Sequence, residues 1–319
     1  MPEIEVSWLG QERDSFRLRN YHLQEKPFFH LFAESNFKKE QIPDAEIPFR
    51  NQPDKSVHGS VLQASIEKMI DTLLATQRNI KQLNDFIILQ SKDYNFKQQV
   101  GLLILKSKHY PFVVKLFIER PQTFIDPFHK GMEPIWFFFM GGGINRHLSG
   151  FTRIKNLQEV KRKIAASPKW APLVDFPRKW YTHPKQSKWI HITGKNIGTK
   201  AVQTTKIPSI YCIVADAIEA EKTLSLRSPA DRNLALSLCN YLDQYIDSHI
   251  ENFMLEKQTK KIVIIDTEHF PSVVGFQGKQ GTFQSYTQWY LHLAGKCLHD
   301  TFFTTKKDFK DMQNLKIAK

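Results

Sequence analysis

Cysteine is scarce in this chain. Its 319 residues include three cysteines, Cys212, Cys239 and Cys297, and no two of them form a CxxC pair. A disulfide framework and a cysteine zinc site both need several closely spaced cysteines, so neither is predicted. The scarcity favours a reducing compartment.

Long apolar runs are also missing. No window approaches the eighteen or so consecutive apolar residues that would span a bilayer. The first thirty residues mix charges throughout and lack the basic start and apolar centre of a signal peptide. We therefore expect a soluble, cytoplasmic protein without a transmembrane segment.

Several catalytic motifs are absent as well. The sequence contains neither GxSxG nor HExxH, and His183 and His191 do not have the spacing of zinc ligands. Nucleophilic acyl transfer and zinc hydrolysis are therefore not predicted. The triple glycine at 141–143 lacks the G-K-[ST] ending of a Walker A loop, so we expect a tight turn or close backbone packing there.

Apolar residues, by contrast, are plentiful. They make up 41% of the chain and include 24 Phe and 6 Trp, so the chain should bury a core. The formal net charge of +13 favours an anionic partner, such as nucleic acid, a membrane surface or a phosphorylated ligand. Because the lysines are dispersed, an ordinary solvated surface is the simpler interpretation.

The residue pattern predicts an α+β fold. Apolar residues recur at helical spacing from Ile66 to Leu83 and predict an amphipathic helix, and the apolar runs on either side of "KHYP" predict a β-hairpin. Because strands and helices do not alternate regularly, a doubly wound sheet is not expected. The other predicted elements are helices at "NLQEVKRKIAAS", "SPADRNLALSLCNYLDQYI" (capped by Ser228) and "SYTQWYLHLAGKCLHDTFF", and a buried strand at "IPSIYCIVADAIE".

The most informative stretch is "YIDSHIENFMLEKQTKKIVIIDTE", residues 245–268. Its pattern predicts a loop that projects Asp247, His249 and Asn252. Two short antiparallel strands should follow and bring Asp266 to the same end of a hairpin as Asn252. Asn and Asp oxygens are hard ligands that suit Mg²⁺, and Asp247 would then be placed to accept a proton from a hydroxyl group.

This stretch resembles the catalytic loop and metal-binding segment of the protein-kinase-like fold. In that fold an Asp, an Asn five residues later and an Asp after an apolar strand carry phosphoryl transfer. Asp247, Asn252 and Asp266 match these positions. With His249 inside the loop, the D-x-H-x-x-N form is closer to the atypical branch of phosphoinositide kinases and HipA-like kinases than to the H-R-D form, and residues 245–246 read Tyr-Ile in place of His-Arg.

The resemblance implies an ATP site further upstream. Lys115 of "FVVKLF" corresponds to the strand lysine that holds the α and β phosphates of ATP. Glu159 is our candidate for the glutamate that orients this lysine, and Glu133 is a weaker one. A hinge that meets the adenine would fall near residues 215–218.

The resemblance also implies a mechanism. Asn252 and Asp266 would hold Mg²⁺, Asp247 or His249 would take the proton from the acceptor hydroxyl, and the acceptor itself is not identified. Two positions depart from the family: Gly101 is the only glycine where a glycine-rich phosphate loop should precede Lys115, and "DTE" replaces D-F-G. Glu268 of "DTE" would either add a carboxylate to the metal site or face solvent.

As a whole, the resemblance implies a bilobal fold with a helical N-terminal extension. The predicted segments are 1–95 for the extension with its amphipathic helix, 96–225 for the nucleotide-binding strand lobe and connection, and 226–319 for a reduced helical catalytic lobe. Two alternatives stay open. One is a pseudokinase or scaffold, and the other is a basic nucleic-acid-binding protein that uses the aromatic residues interleaved with lysines at 169–191.

Overall fold

The computed structural model describes residues 4–13, 15–18, 38–76, 78–80, 82–125, 142–194, 201–242, 246–247 and 249–268. It is a mixed α+β structure with mostly antiparallel sheets, which confirms the predicted class. The chain divides into two compact units. Unit 1 takes the described residues within Met1–Leu148 and Lys179–Ala217, and unit 2 takes those within Ser149–Arg178 and Ile218–Lys307.

Strands outnumber helices in the described residues. The strands are β1 (Ile4–Trp8), β2 (Phe16–Leu18), β3 (Glu46–Phe49), β4 (Gln52–His58), β5 (Gln82–Leu83), β6 (Phe86–Gln90), β7 (Tyr94–Asn95), β8 (Val100–Ser107), β9 (Phe112–Ile118), β10 (Val174–Asp175), β11 (Lys179–Thr182), β12 (Trp189–Gly194), β13 (Gln203–Pro208), β14 (Ile210–Asp216), β15 (Ala220–Thr223), β16 (Phe253–Glu256) and β17 (Ile262–Ile264). The α-helices are α1 (Gly59–Ala75), α2 (Pro121–Ile125), α3 (Gly142–Ala165) and α4 (Pro229–Tyr241). No helix in the described residues has both the length and the apolar character needed to cross a membrane.

The largest sheet of unit 1 has the strand order β11-β14-β9-β8-β6-β5, and β7 pairs with β8 beside this path. β8 and β9 pair antiparallel, which confirms the predicted hairpin. Helix α1 confirms the predicted amphipathic helix, although it ends at Ala75, so that Leu83 lies in β5 instead. Its buried side chains share one core with this sheet, and they are Leu62, Ile66, Met69, Ile70 and Leu73.

Unit 1 also contains a four-stranded sheet of order β13-β12-β1-β2 and the β3–β4 pair. Strands therefore contribute to residues 1–95 together with α1. Successive pairs in the four-stranded sheet are antiparallel, as in the pairing of Val6 with Ile192 and of Ile192 with Thr205. Val6 and Ile192 are fully buried, so this sheet has an interior face of its own.

Unit 2 is built from α4, the part of α3 after residue 148 and a sheet of order β10-β17-β16-β15. Helix α3 covers most of the helix predicted at 156–167, but it begins earlier, at the second of the three glycines, and ends at Ala165. Helix α4 begins as predicted, because the Ser228 side chain accepts a hydrogen bond from the Asp231 backbone N–H at 3.2 Å and Pro229 occupies the first turn. The last predicted helix, in "SYTQWYLHLAGKCLHDTFF", lies outside the described residues.

Candidate functional site

A β-hairpin brings Asn252 and Asp266 to the same end of a sheet. β16 and β17 pair antiparallel with Phe253 opposite Ile264, and the Ile265 N–H donates to the Asn252 carbonyl at 2.9 Å. Asn252 enters the hairpin and Asp266 leaves it, so the two residues flank its open end. The hairpin predicted from the sequence is confirmed.

The loop before this hairpin is closed by its own hydrogen bonds. The Asn252 side-chain amide donates to the Asp247 carbonyl at 3.2 Å, and the His249 backbone N–H donates to the Asp247 carboxylate at 3.1 Å. Buried Ile246 and Ile250 anchor the loop in the core of unit 2. The apolar residues thus fix the backbone while Asp247 is held toward the end of the hairpin.

Three carboxylates converge at this end. One oxygen each from Asp247, Asp266 and Glu268 lie within 4.8 Å of one another. Asp266 is buried, while Asp247 and Glu268 are half-buried. Oxygen ligands at this spacing suit a hard divalent cation. Of the two roles considered for Glu268, the structure therefore favours membership of the carboxylate cluster.

The cluster raises the pKa of Asp247 to about 6. Burial is the largest cause, followed by repulsion from the Asp266 and Glu268 carboxylates, and the hydrogen bond from the His249 N–H opposes the shift. A negative charge on Asp247 is therefore costly in this environment. A bound cation would reverse that cost.

Arg153 of α3 also belongs to the cluster. Its Nε donates to Asp266 Oδ1 at 3.1 Å and its Nη2 to Glu268 Oε2 at 2.7 Å. All three side chains are largely removed from solvent, with Arg153 only 5% exposed. The sequence interpretation did not include this residue. The available signal was that Arg153 lies four and seven residues before Leu157 and Val160, on the buried face of α3.

Two buried polar residues extend the contact between α3 and residues 266–268. The Asn156 side chain donates to the Thr267 carbonyl at 3.1 Å, and the Thr267 hydroxyl donates to the Arg153 carbonyl. Asn156 and Thr267 are both buried. Each residue of the "DTE" sequence is therefore bonded to α3.

Glu159 lies on a different face of α3 from Arg153. Six residues correspond to about 240° around the helix axis. Its exposed carboxylate pairs with Arg162 at 2.7 Å, and the hydrogen bond from Arg162 lowers the pKa of Glu159. The structure therefore does not bring Glu159 to the carboxylate cluster, and its pairing with Lys115 stays a prediction.

The other predicted residues divide between the two units. Lys115 lies half-buried in β9 of unit 1, opposite Ile104 of β8 and Ile213 of β14. His249 lies exposed in the loop of unit 2. The structure thus brings together Asp247, Asn252 and Asp266 within one unit, and Lys115 belongs to the other. Glu133 lies outside the described residues.

The segment where a phosphate loop was sought is held against α1. Gln99 has a φ of 55°, and its buried side chain donates to the Leu74 carbonyl at 2.5 Å, at the C-terminal end of α1. Gly101 has a φ of 116°, and a Cβ there would lie 2.1 Å from the Asp93 carbonyl oxygen. Close backbone packing therefore requires glycine at position 101.

The aromatic residues of the 169–191 segment are mostly internal. Trp170 and Tyr181 are buried, and Lys179 between them is also buried. Trp180 packs edge-on against Phe112 of the unit 1 core. Buried rings cannot serve as stacking platforms for bases, so the arrangement does not favour the nucleic-acid-binding alternative.

Comparison with known proteins identifies no relative. No family model matches the chain, and no curated protein and no solved structure matches it significantly. A functional proposal therefore depends on the geometry of the site and on the sequence resemblance.

Proposed function

We propose that this protein is a cytoplasmic, atypical kinase-like phosphotransferase that uses ATP and Mg²⁺ to phosphorylate a hydroxyl acceptor. The observation that supports this most is the convergence of the Asp247, Asp266 and Glu268 carboxylates at the end of the hairpin that also carries Asn252. The loop, the hairpin and the final aspartate follow one another in the order that the kinase-like catalytic segment requires.

The side chains fit a magnesium ion by their chemistry. Asn252 and Asp266 would hold it, and Glu268 would add a third oxygen ligand. The Asn252 side-chain nitrogen donates a hydrogen bond to the Asp247 carbonyl, so the side-chain oxygen of Asn252 points away from that bond. When bound, Mg²⁺ would neutralise charge on the phosphates of ATP.

Asp247 fits the role of proton acceptor. A general base must lie within reach of the proton that it takes, and the Asp247 carboxylate lies beside the Asp266 and Glu268 carboxylates that would hold the metal. His249 remains the second candidate, since it is exposed in the same loop. Either group would take the proton from the acceptor hydroxyl.

The nucleotide would depend on unit 1. Lys115 would bind the α and β phosphates from β9, a strand with neighbours on both sides. The chain passes from unit 1 to unit 2 between Ala217 and Ile218, within the residues of the predicted hinge. Because Gly101 is the only glycine in the stretch before Lys115, phosphate binding there would use backbone amides of non-glycine residues.

The test is ATP turnover by the full chain with Mg²⁺, measured as phosphate release and autophosphorylation. Asp266→Asn should lower turnover about 100-fold or more, because it removes a carboxylate ligand of the Mg²⁺ that would neutralise the phosphates of ATP. Asparagine preserves the shape next to Arg153, whereas alanine would leave a cavity. Glu251→Gln is the matched control, since Glu251 is exposed in the same loop. Equal turnover by wild type and Asp266→Asn would contradict the proposal.

A pseudokinase or scaffold, which does not transfer a phosphoryl group, is the second candidate. The observation that favours it is the buried pairing of Arg153 with Asp266 and Glu268, because the guanidinium already occupies an oxygen of two of the three carboxylates. A pseudokinase or scaffold of this kind would gain no stability from Mg-ATP. A thermal-shift titration separates it from an enzyme that binds this ligand.

A further inference from the structure

Residues 266–268, hereafter the D-T-E segment, each form a hydrogen bond with α3. The Asp266 and Glu268 carboxylates accept hydrogen bonds from the Arg153 guanidinium, at 3.1 and 2.7 Å. Between them, Thr267 accepts a bond from Asn156 and donates one to the Arg153 carbonyl. The Glu268 backbone N–H also donates to Asp266 Oδ1 at 3.0 Å. The segment therefore has a single well-defined position against α3.

We propose that Arg153 is the positioning residue of the proposed metal site, because its guanidinium bridges Asp266 and Glu268 and fixes both carboxylates beside Asp247. The inference rests on the proposed function. It adds a residue that neither the motif nor the kinase resemblance assigns. It also assigns a role to Glu268. This residue occupies the glycine position of D-F-G, and its carboxylate is the second one that the Arg153 guanidinium holds.

The geometry favours positioning over simple charge compensation. A guanidinium presents its N–H groups in a rigid planar fork, and here Nε and Nη2 each bind a different carboxylate. A single point charge would attract the two carboxylates without fixing their separation. The bridge thus sets the distance between two side chains that repel each other.

Arginine and lysine variants separate the two roles. Arg153→Lys keeps the positive charge and loses the fork, whereas Arg153→Gln removes the charge as well. Arg162→Lys is the matched control, because Arg162 lies on the same helix with its side chain 75% exposed. The probe is Mn²⁺ alone, titrated into the full chain and followed by the electron paramagnetic resonance signal of the unbound ion.

Positioning predicts that Arg153→Lys binds Mn²⁺ about tenfold more weakly than wild type, a usual penalty for losing a residue that orients metal ligands. Arg162→Lys should bind as wild type does. If Arg153 only compensates charge, Arg153→Lys will bind normally and Arg153→Gln will bind more tightly. That result would overturn the inference.

Amide hydrogen exchange of the peptide that contains the D-T-E segment gives a readout without metal. Arg153→Lys should speed its exchange about tenfold, since local opening becomes easier, and Arg162→Lys should not. Unchanged exchange in Arg153→Lys would also overturn the inference. If the wild type binds no Mn²⁺, the proposed metal site fails, and this exchange measurement alone decides whether Arg153 positions the segment.

A second variant covers the case in which Arg153→Lys does not fold, as judged by circular dichroism. Thr267→Val removes the hydroxyl that donates to the Arg153 carbonyl and keeps the shape of the buried side chain. It should speed exchange of the same peptide and weaken Mn²⁺ binding. Normal exchange and normal binding in Thr267→Val would contradict a position set by α3.

Discussion

Helices α1 and α3 both bury one face, but the two faces have different chemistry. Every buried residue of α1 is apolar or glycine. The buried residues of α3 in unit 2 include the polar Thr152, Arg153 and Asn156 beside the apolar Ile154, and the buried residues from Leu157 onward are apolar. Both helices stabilise a core, and only α3 also bonds to the carboxylate cluster.

The difference shows that a polar residue on a buried helix face can reveal a specific contact. Burying a guanidinium or an amide is costly unless it is hydrogen-bonded. Arg153 and Asn156 both meet partners in residues 266–268. A polar residue in an otherwise apolar helical stripe therefore indicates a specific contact, and in α3 that contact is the candidate site.

The largest expected effect comes from removing the charge on α3. Arg153→Leu should lower the free energy of unfolding by about 3–5 kcal/mol at neutral pH, because it leaves Asp266 and Glu268 buried without their cation. Urea unfolding measures the loss. Arg162→Leu should cost less than about 1 kcal/mol, since its ion pair is exposed, and equal losses would contradict the distinction between the two arginines.

On α1 the corresponding change is purely apolar. Leu62 is fully buried, so Leu62→Ala should cost about 2–5 kcal/mol through lost burial and a cavity. Mn²⁺ affinity of the folded variant should stay at the wild-type value. Val61→Ala, at a neighbouring side chain that is 48% exposed, should change stability by less than about 0.5 kcal/mol. A drop in Mn²⁺ affinity in Leu62→Ala would show that α1 is not separate from the site.

Asp247→Asn should stabilise the apo protein. The pKa of Asp247 is raised from 3.8 to about 6, so the folded state favours the protonated carboxyl. Stability from this group is complete below pH 3.8 and is lost as the pH rises through 6. At pH 7 the variant should therefore gain up to about 3 kcal/mol over wild type, and in acid the difference should disappear.

Asp231→Asn should change the stability at neutral pH in the opposite direction. The hydrogen bond from Lys222 lowers the pKa of Asp231, so its contribution is present at neutral pH and is lost as the pH falls. This variant should be less stable than wild type at pH 7 and approach it in acid. Denaturation curves across the pH range test both variants, and curves of the same sign would refute the assigned causes.

The smallest effect is expected at the end of α1. Gln99 donates to carbonyls of the last turn, including Leu74 at 2.5 Å. Gln99→Leu should cost about 1 kcal/mol, the usual net value of a hydrogen bond. Mn²⁺ binding should not change, because this polar contact lies in unit 1. If Gln99→Leu affected Mn²⁺ binding more than stability, the loop before β8 would contribute to the metal site.

Local patterns predicted much of the fold for identifiable reasons. The α1 stripe, the β8–β9 and β16–β17 hairpins and the Ser228 cap all depend on residues close in sequence. The boundaries were less predictable. The helix was expected to begin at Asn156 but begins at Gly142, so Arg153 fell outside the predicted helix.

The sequence by itself determined which oxygen-bearing residues flank β16 and β17. In an antiparallel hairpin, the start of the first strand and the end of the second strand lie side by side. Only the tertiary structure decided that Arg153 holds Asp266, its partner 113 residues later, and that Glu159 points to another face. Helical spacing places Arg153 on the same face as Leu157 and Val160, but no local pattern identifies its partner. The pairing follows from the packing of α3 in unit 2, where the helix rotation that buries Leu157 and Val160 also buries Arg153.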